Sequence, residues 1–372
     1  MKHIIDIEDV INIKNDDEEE EEEEESLTTS TNYNNKVRHS SIIIPTTCVQ
    51  LLKWFRDTKF GCMSDPLVRH FEPSTSCSHL CVYCYANSYK NVLSESEAMK
   101  ECVDMEDIRL AVKSLADKLF AKMRKLKSEI GPEIHFSIST DVLQPNIKVQ
   151  ERSFIVMKTW LEYHRSMLIS IVSKGVPYSV DMRERFLKLF AEHPDQVSFQ
   201  CTCASVDADV AKYLEPGAPY PEKRIQFLEQ VSSVAGVKRI SFRMNPLVPG
   251  FNDSDEQMAA TIDRAAKVPN LHNLAISYMY GSFKIFEHFE KITGVPIKNR
   301  FVQDKRIGLS GGAPKFHVSA SQRVAVFQFA RERRSGLKIN TCGCDNKDIF
   351  PDHKCGICWR SENDNNNNNK IV

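Results

Sequence analysis

The chain has 372 residues, 41% of them hydrophobic, and a formal net charge of −1. That is a globular composition, sufficient for one large domain of about 200 to 250 residues and a smaller appendage. No stretch approaches the roughly 18 uninterrupted apolar residues that a bilayer span needs, and acids stand where a secretion signal would carry its apolar core. A membrane role is therefore excluded at this stage. The expected location is intracellular, in the cytoplasm with the nucleus left open, where the 12 cysteines stay reduced and clustered ones read as metal ligands or reactive thiols.

In chain order, the first element is an acidic tail. Residues 1–26 hold 13 acids, ten of them consecutive from Asp16 to Glu25, against Lys2 and Lys14, a local charge of −11 that leaves +10 on the remainder. Such a run cannot bury apolar surface, so residues 1–40 are expected to be disordered, either as a solubilising tail or as a polyanion mimic that shields a basic face. The Asn-rich end, 361–372, is expected to be disordered as well. A body charge of +10 permits a phosphate-bearing substrate without requiring one.

From residue 65 to 282, short β-branched or aromatic runs alternate with amphipathic helical patterns. The runs are "LVRHFEP" (67–73), "EIHFSIST" (133–140), "MLISIVSK" (167–174), "VSFQCTCAS" (197–205), "KRISFRMNP" (238–246) and "LAISYMYG" (274–281). The expected fold class is α/β: a partial (β/α)6 parallel barrel with its functional loops after the strand C-termini, followed by a small Cys-rich extension over 283–360. Within that extension, "PKFHVSASQRVAVFQFARERRSG" reads as one amphipathic helix with a glycine stop.

The loop after the first strand reads CSHLCVYC. Cys77, Cys81 and Cys84 supply three thiolates, and a [4Fe–4S] cube held by three leaves one iron open for a small molecule. Zinc would need a fourth ligand; His79 is the nearest, but one residue from Cys77 it closes a poor tetrahedron. On the fourth strand, Cys201 and Cys203 share the face of Val197 and Phe199, so they read as core residues, and Thr202 points the other way. Arg243, inward on the fifth, needs a carboxylate such as Glu215 or a substrate anion. Alternatively Glu215 and Arg224 form an ion pair that holds their own loop. At the end of the chain, Cys342, Cys344, Cys355 and Cys358 have C-x-C and C-x2-C spacing and form a candidate closed site for structural zinc or an auxiliary iron–sulfur cluster. Cys48, Cys62 and Cys102 have no partner in sequence.

The CSHLCVYC signature, with "STDVLQP", "SK", "YLEPGAPYPEKRI" and "NPLVPGFND" in order behind it, resembles the radical S-adenosylmethionine (radical SAM) superfamily, in particular its spore photoproduct lyase-like subgroup. The resemblance implies a partial (β/α)6 barrel whose cluster cleaves S-adenosylmethionine to a 5'-deoxyadenosyl radical for hydrogen abstraction, an electron donor to reduce the cluster, and cofactor contacts at Tyr83, Thr140, Asp141, Lys174 and Thr202. In that role Tyr83 lies against the adenine, Thr140 and Asp141 hold the ammonium group, Lys174 approaches the carboxylate and Thr202 lies near the ribose. The substrate is unidentified. A DNA or RNA repair or modification enzyme of the same chemistry is one alternative, although the lyase's hydrogen-donating cysteine has Ile138 at its place; a non-catalytic zinc-binding module is the other. A primary radical needs shielding, so the segment 283–358 is expected to cap the barrel mouth.

Overall fold

The computed structural model describes residues 55–56, 65–74, 77–84, 104–137, 140–304, 315–341, 349, 357 and 359. All of them fall in one unit, Ile44–Val372; both tails, and Cys342, Cys344, Cys355 and Cys358, lie outside the described residues.

Each expected strand forms; the first four are shorter than expected, the fifth runs one residue further and the sixth begins three residues earlier. They are β2 (Val68–Phe71), β3 (Glu133–Phe136), β4 (Leu168–Ser173), β5 (Val197–Thr202), β6 (Arg239–Leu247) and β7 (Leu271–Tyr278). Between them run α1 (Met105–Leu126), α2 (Ile147–Tyr163), α3 (Val180–Glu192), α4 (Ala208–Leu214), α5 (Pro221–Ser233) and α6 (Asp255–Ala265). Capping chemistry sets where several helices begin: Asp104 accepts from the Glu106 amide, Asn146 from Lys148 and Val149, and Ser179 from Met182. Helix α1 buries Ile108, Ala111, Val112, Leu115, Ala116 and Leu119, one face at three- and four-residue spacing.

Strands β2 to β7 pair in parallel in sequence order. Two additions widen the sheet. A two-residue β1 (Phe55–Arg56) pairs antiparallel with β2, and β10 (Lys338–Asn340) pairs parallel with β7. The result is an open eight-stranded sheet; among the described residues no ladder joins its two edges, so it is a partial barrel.

Alternation gives the sheet two unlike faces. One is apolar: Ile134, Phe136, Ile169, Ile171, Phe199, Cys201, Ile240, Phe242, Leu274 and Ile276 are all buried in the core. Phe199 meets Phe190 of α3 and Phe227 of α5, which places this face under the helices. Each such aromatic contributes about 1.5 to 3 kcal/mol by leaving water. The other face is polar. Register aligns His70, His135, Ser170, Ser198 and Arg239 across five strands, then Gln200, Ser241 and Asn273 in the next row, with Thr202 beside Arg243 above them.

Beyond β7 the chain forms α7 (Phe283–Thr293), β8 (Val302–Asp304), β9 (Lys315–His317) and α8 (Ala320–Arg333) before β10. The single helix expected over 314–336 is thus a strand and a helix. The break is the capping box at Ser319, whose hydroxyl takes the Gln322 amide while the Gln322 side chain returns to the Ser319 amide. The segment expected to cap the barrel mouth is also divided. Its first part lies by the loops after β5 and β6, where the Tyr213 hydroxyl donates to the Thr293 carbonyl and Phe251 meets Phe289 edge-on. Ile357, and Trp359 just beyond the segment, stand at the opposite end, the amino ends of the strands. There the Ser170 hydroxyl lies 3.1 Å from the Ile357 carbonyl, the Trp359 indole donates to the Ile169 carbonyl at 3.2 Å, and Arg239 stacks over the indole at 4.3 Å.

Candidate functional site

The loop carrying the three cysteines leaves the carboxyl end of β2, and the chain that follows each neighbouring strand closes around it. Cys81 is buried, Cys77 and Cys84 are half-buried, and all three are free thiols. A turn closed by the Cys84 amide on the Cys81 carbonyl, and a left-handed φ of 50° at Leu80, reverse the chain between them.

Two other loops grip this one. From the β3 side, the Gln144 carboxamide oxygen accepts both the amide and the hydroxyl of Ser78, at 2.8 and 2.9 Å. From the segment after α4, the Leu214 carbonyl accepts the Val82 amide and the Gly217 amide donates to the His79 carbonyl. Gly217 comes so close that a Cβ there would stand 2.0 Å from the Ser78 carbonyl oxygen. Only glycine fits.

Asp141 ties the loop to two strand ends. Its Oδ1 accepts the Ser173 hydroxyl at 2.7 Å and the Leu143 amide at 2.9 Å; its Oδ2 accepts the Lys174 amide at 2.7 Å and stands 3.2 Å from His79 Nε2. Burial would raise this carboxyl, but the His79 ring and the donated hydrogen bonds outweigh it and hold Asp141 well below the ordinary carboxylate range. The other ring nitrogen of His79 faces the Gly217 carbonyl at 3.4 Å. With both nitrogens turned to oxygen acceptors, His79 is not placed as a fourth ligand to the thiols.

Among the described residues, no three of His, Cys, Asp and Glu are gathered as ligands of a single ion. Thiols that bind different irons of one cube stand farther apart than that. Burial, then the Asp141 charge, pushes the Cys77 thiol up to about 12, and burial pushes Cys81 up too. A thiol so raised stays protonated until a bound cation displaces its proton into solvent. Lys174 supplies positive charge among them: its ammonium lies 5.6 Å from the centre of the Tyr83 ring, and the charges of Cys81, Glu215, Cys84 and Asp141 raise its pKa against the pull of burial. These residues fit an anionic thiolate cluster.

The remaining expected positions lie around the same loop. The Thr140 hydroxyl and amide both donate to Glu72, at 2.7 and 3.1 Å. Thr202 ends β5 on the polar face, buried, with no partner for its hydroxyl among the described residues. Cys201 and Cys203 are buried, and the Cys203 thiol donates to the Ser205 carbonyl. Of the two pairings open to Glu215, the structure has the one with Arg224, and it adds Tyr83, whose hydroxyl donates to the same carboxylate. Sequence reasoning gave no role to Gln144, Gly217 or Glu72. The first two stand within the quoted blocks "STDVLQP" and "YLEPGAPYPEKRI", so spacing had already marked their neighbourhood.

Residues 71–262 match the family model of the radical SAM superfamily. No curated protein matches the sequence significantly. Among solved structures, spore photoproduct lyase complexed with dinucleoside spore photoproduct aligns with a TM-score of 0.54 at 12% identity, over 77% of this chain and 78% of that one. A mutant of that lyase with the same dinucleoside aligns at 0.53 and 14% identity, over 82% and 87%. A radical SAM methyltransferase from Sphaerobacter thermophilus gives 0.45 at 15% identity, over 81% and 72%.

Proposed function

Because the chain belongs to the radical SAM superfamily, we propose that Cys77, Cys81 and Cys84 hold a [4Fe–4S] cluster and that the protein is an enzyme that abstracts a hydrogen atom from a substrate still to be identified. The bound cluster and S-adenosylmethionine would together supply a 5'-deoxyadenosyl radical. The observation that carries this reading is the set of three thiols on a loop at the carboxyl ends of parallel strands, with His79 engaged elsewhere.

The surrounding residues have separable tasks. Tyr83 offers an aromatic face for the adenine. Lys174 offers an ammonium for the cofactor's carboxylate. Thr202 offers a free hydroxyl to the ribose. Thr140 and Asp141 are proposed to meet the cofactor's ammonium group, and Asp141, which accepts from the loops after β3 and β4 and stands against His79, also orients the cysteine loop. An electron donor is a required partner. The four C-terminal cysteines are proposed to hold zinc or an auxiliary cluster, which metal analysis of a Cys342→Ala, Cys344→Ala variant would identify. No described helix is long and apolar enough to cross a membrane.

The test is anaerobic. The reconstituted and reduced protein is given S-adenosylmethionine, and 5'-deoxyadenosine is measured against a Cys77→Ala, Cys81→Ala, Cys84→Ala variant. Product is expected only with the three cysteines intact. Equal yields, or a loop that retains zinc and forms no product, would remove the proposal.

A further inference from the structure

We propose that Glu215 is a positioning residue that fixes the Tyr83 ring beside the three cysteines and thereby sets the affinity for S-adenosylmethionine, a role that rests on the function proposed above. Tyr83, between Cys81 and Cys84 in sequence, is buried, and a buried phenol needs a partner for its hydroxyl. That partner is Glu215 Oε1. Glu215 Oε2 takes Arg224, which in turn donates to the Pro219 carbonyl at 2.6 Å and to the Thr202 carbonyl at 3.3 Å. A connected path, Tyr83 to Glu215 to Arg224 to Thr202, therefore joins the cysteine loop to the end of β5. Its planar, multiply bonded guanidinium gives it one geometry.

The carboxylate is not needed to hold the loop. The backbone bonds from Val82 to Leu214 and from Gly217 to His79 already do so, and the Gly217 contact blocks sliding. What Glu215 adds is the direction of one aromatic ring. Glu215→Gln also leaves the buried Arg224 without its counter-charge and is expected to lower stability, whereas Tyr83→Phe keeps that ion pair and removes only the tie to the ring. Orientation is the effect that remains.

The experiment compares Glu215→Gln, Tyr83→Phe and the double variant in the full reconstituted chain labelled with 3-fluorotyrosine, the Tyr83 resonance being the one of ten that Tyr83→Phe removes. Glu215→Gln is expected to shift or split that resonance. It should also raise KM for S-adenosylmethionine about tenfold, a charged acceptor being replaced by a weaker neutral one, with kcat for 5'-deoxyadenosine changed far less. Tyr83→Phe should raise KM as much, and the double variant no further than either. An unmoved resonance, a lowered melting temperature with KM unchanged, or penalties that multiply in the double variant would each overturn the proposal. A resonance that moves in a protein whose parent neither binds nor cleaves S-adenosylmethionine would overturn the radical reading and the cofactor role, while the clamp on the ring stood.

Discussion

Asp141 and Glu133 are both buried carboxylates with an imidazole against one oxygen, and they stand at opposite ends of one sheet. Asp141, at the carboxyl ends, is satisfied by groups from the loops after β2, β3 and β4, and so joins the cysteine loop to its neighbours. Glu133, at the amino ends, receives His135 at 2.8 Å, the Ser170 hydroxyl at 2.5 Å and the Trp359 amide at 3.4 Å. One end collects loops from successive strands and builds a site; the other is met by Ile357 and Trp359. Residue chemistry is nearly the same at both. Topology decides which becomes a site, because every strand-to-helix loop of a parallel sheet emerges at the carboxyl ends, while the helix-to-strand returns lie at the amino ends.

Five substitutions would break or sharpen this contrast. The largest effect is expected from Asp141→Ala, which leaves His79 and two strand-end loops without their common acceptor: about 3 kcal/mol of stability by urea unfolding, with iron uptake on reconstitution lost as well. Glu133→Ala should leave iron uptake intact, and equal uptake in the two variants would erase the distinction. The acid limb carries the same information. Asp141 has its folded pKa depressed, so its stabilisation is complete above the ordinary value of 3.8 and is lost as pH falls below that toward the lower folded value. Asp141→Asn should therefore flatten the stability profile below about pH 4.

Gly217→Ala comes second. Its methyl would have to displace the Ser78 carbonyl, an overpacking cost of about 2 kcal/mol, read by thermal unfolding together with the iron content. A full-stability variant would mean that the two loops are not in contact. Trp359→Ala is the smallest, about 1 kcal/mol from the lost stacking with Arg239. The indole fluorescence lost relative to the parent, which has three tryptophans, should report the amino ends of the strands, with KM for S-adenosylmethionine unchanged.

Much of the frame was legible because β-branched runs and helical spacing persist over a long stretch, and the three-cysteine spacing is tight enough to mark the loop. What sequence could not give was pairing across distance. Lys338–Asn340 is too short to announce a strand; it becomes one only because β7 offers an unpaired edge. Glu215 could have faced Arg243 or Arg224, and periodicity does not choose between them. The close approach of Gly217 to Ser78 spans more than a hundred residues and leaves no local trace beyond the glycine itself. Ser319 is the opposite case, since its capping box is written in four consecutive residues and was passed over in favour of a longer amphipathic pattern.

The meeting of Gly217 with Ser78 also constrains how the chain can be rebuilt. Residues 77–84 and 214–224 form one interlocked part made from two separate stretches. A chimera that imports the cysteine loop of another superfamily member alone would press a foreign backbone against the resident glycine, whereas moving both stretches together carries the matching surfaces with it. Insertions and deletions in either stretch face the same pairing, so the natural unit of exchange here is the pair of loops and not the motif.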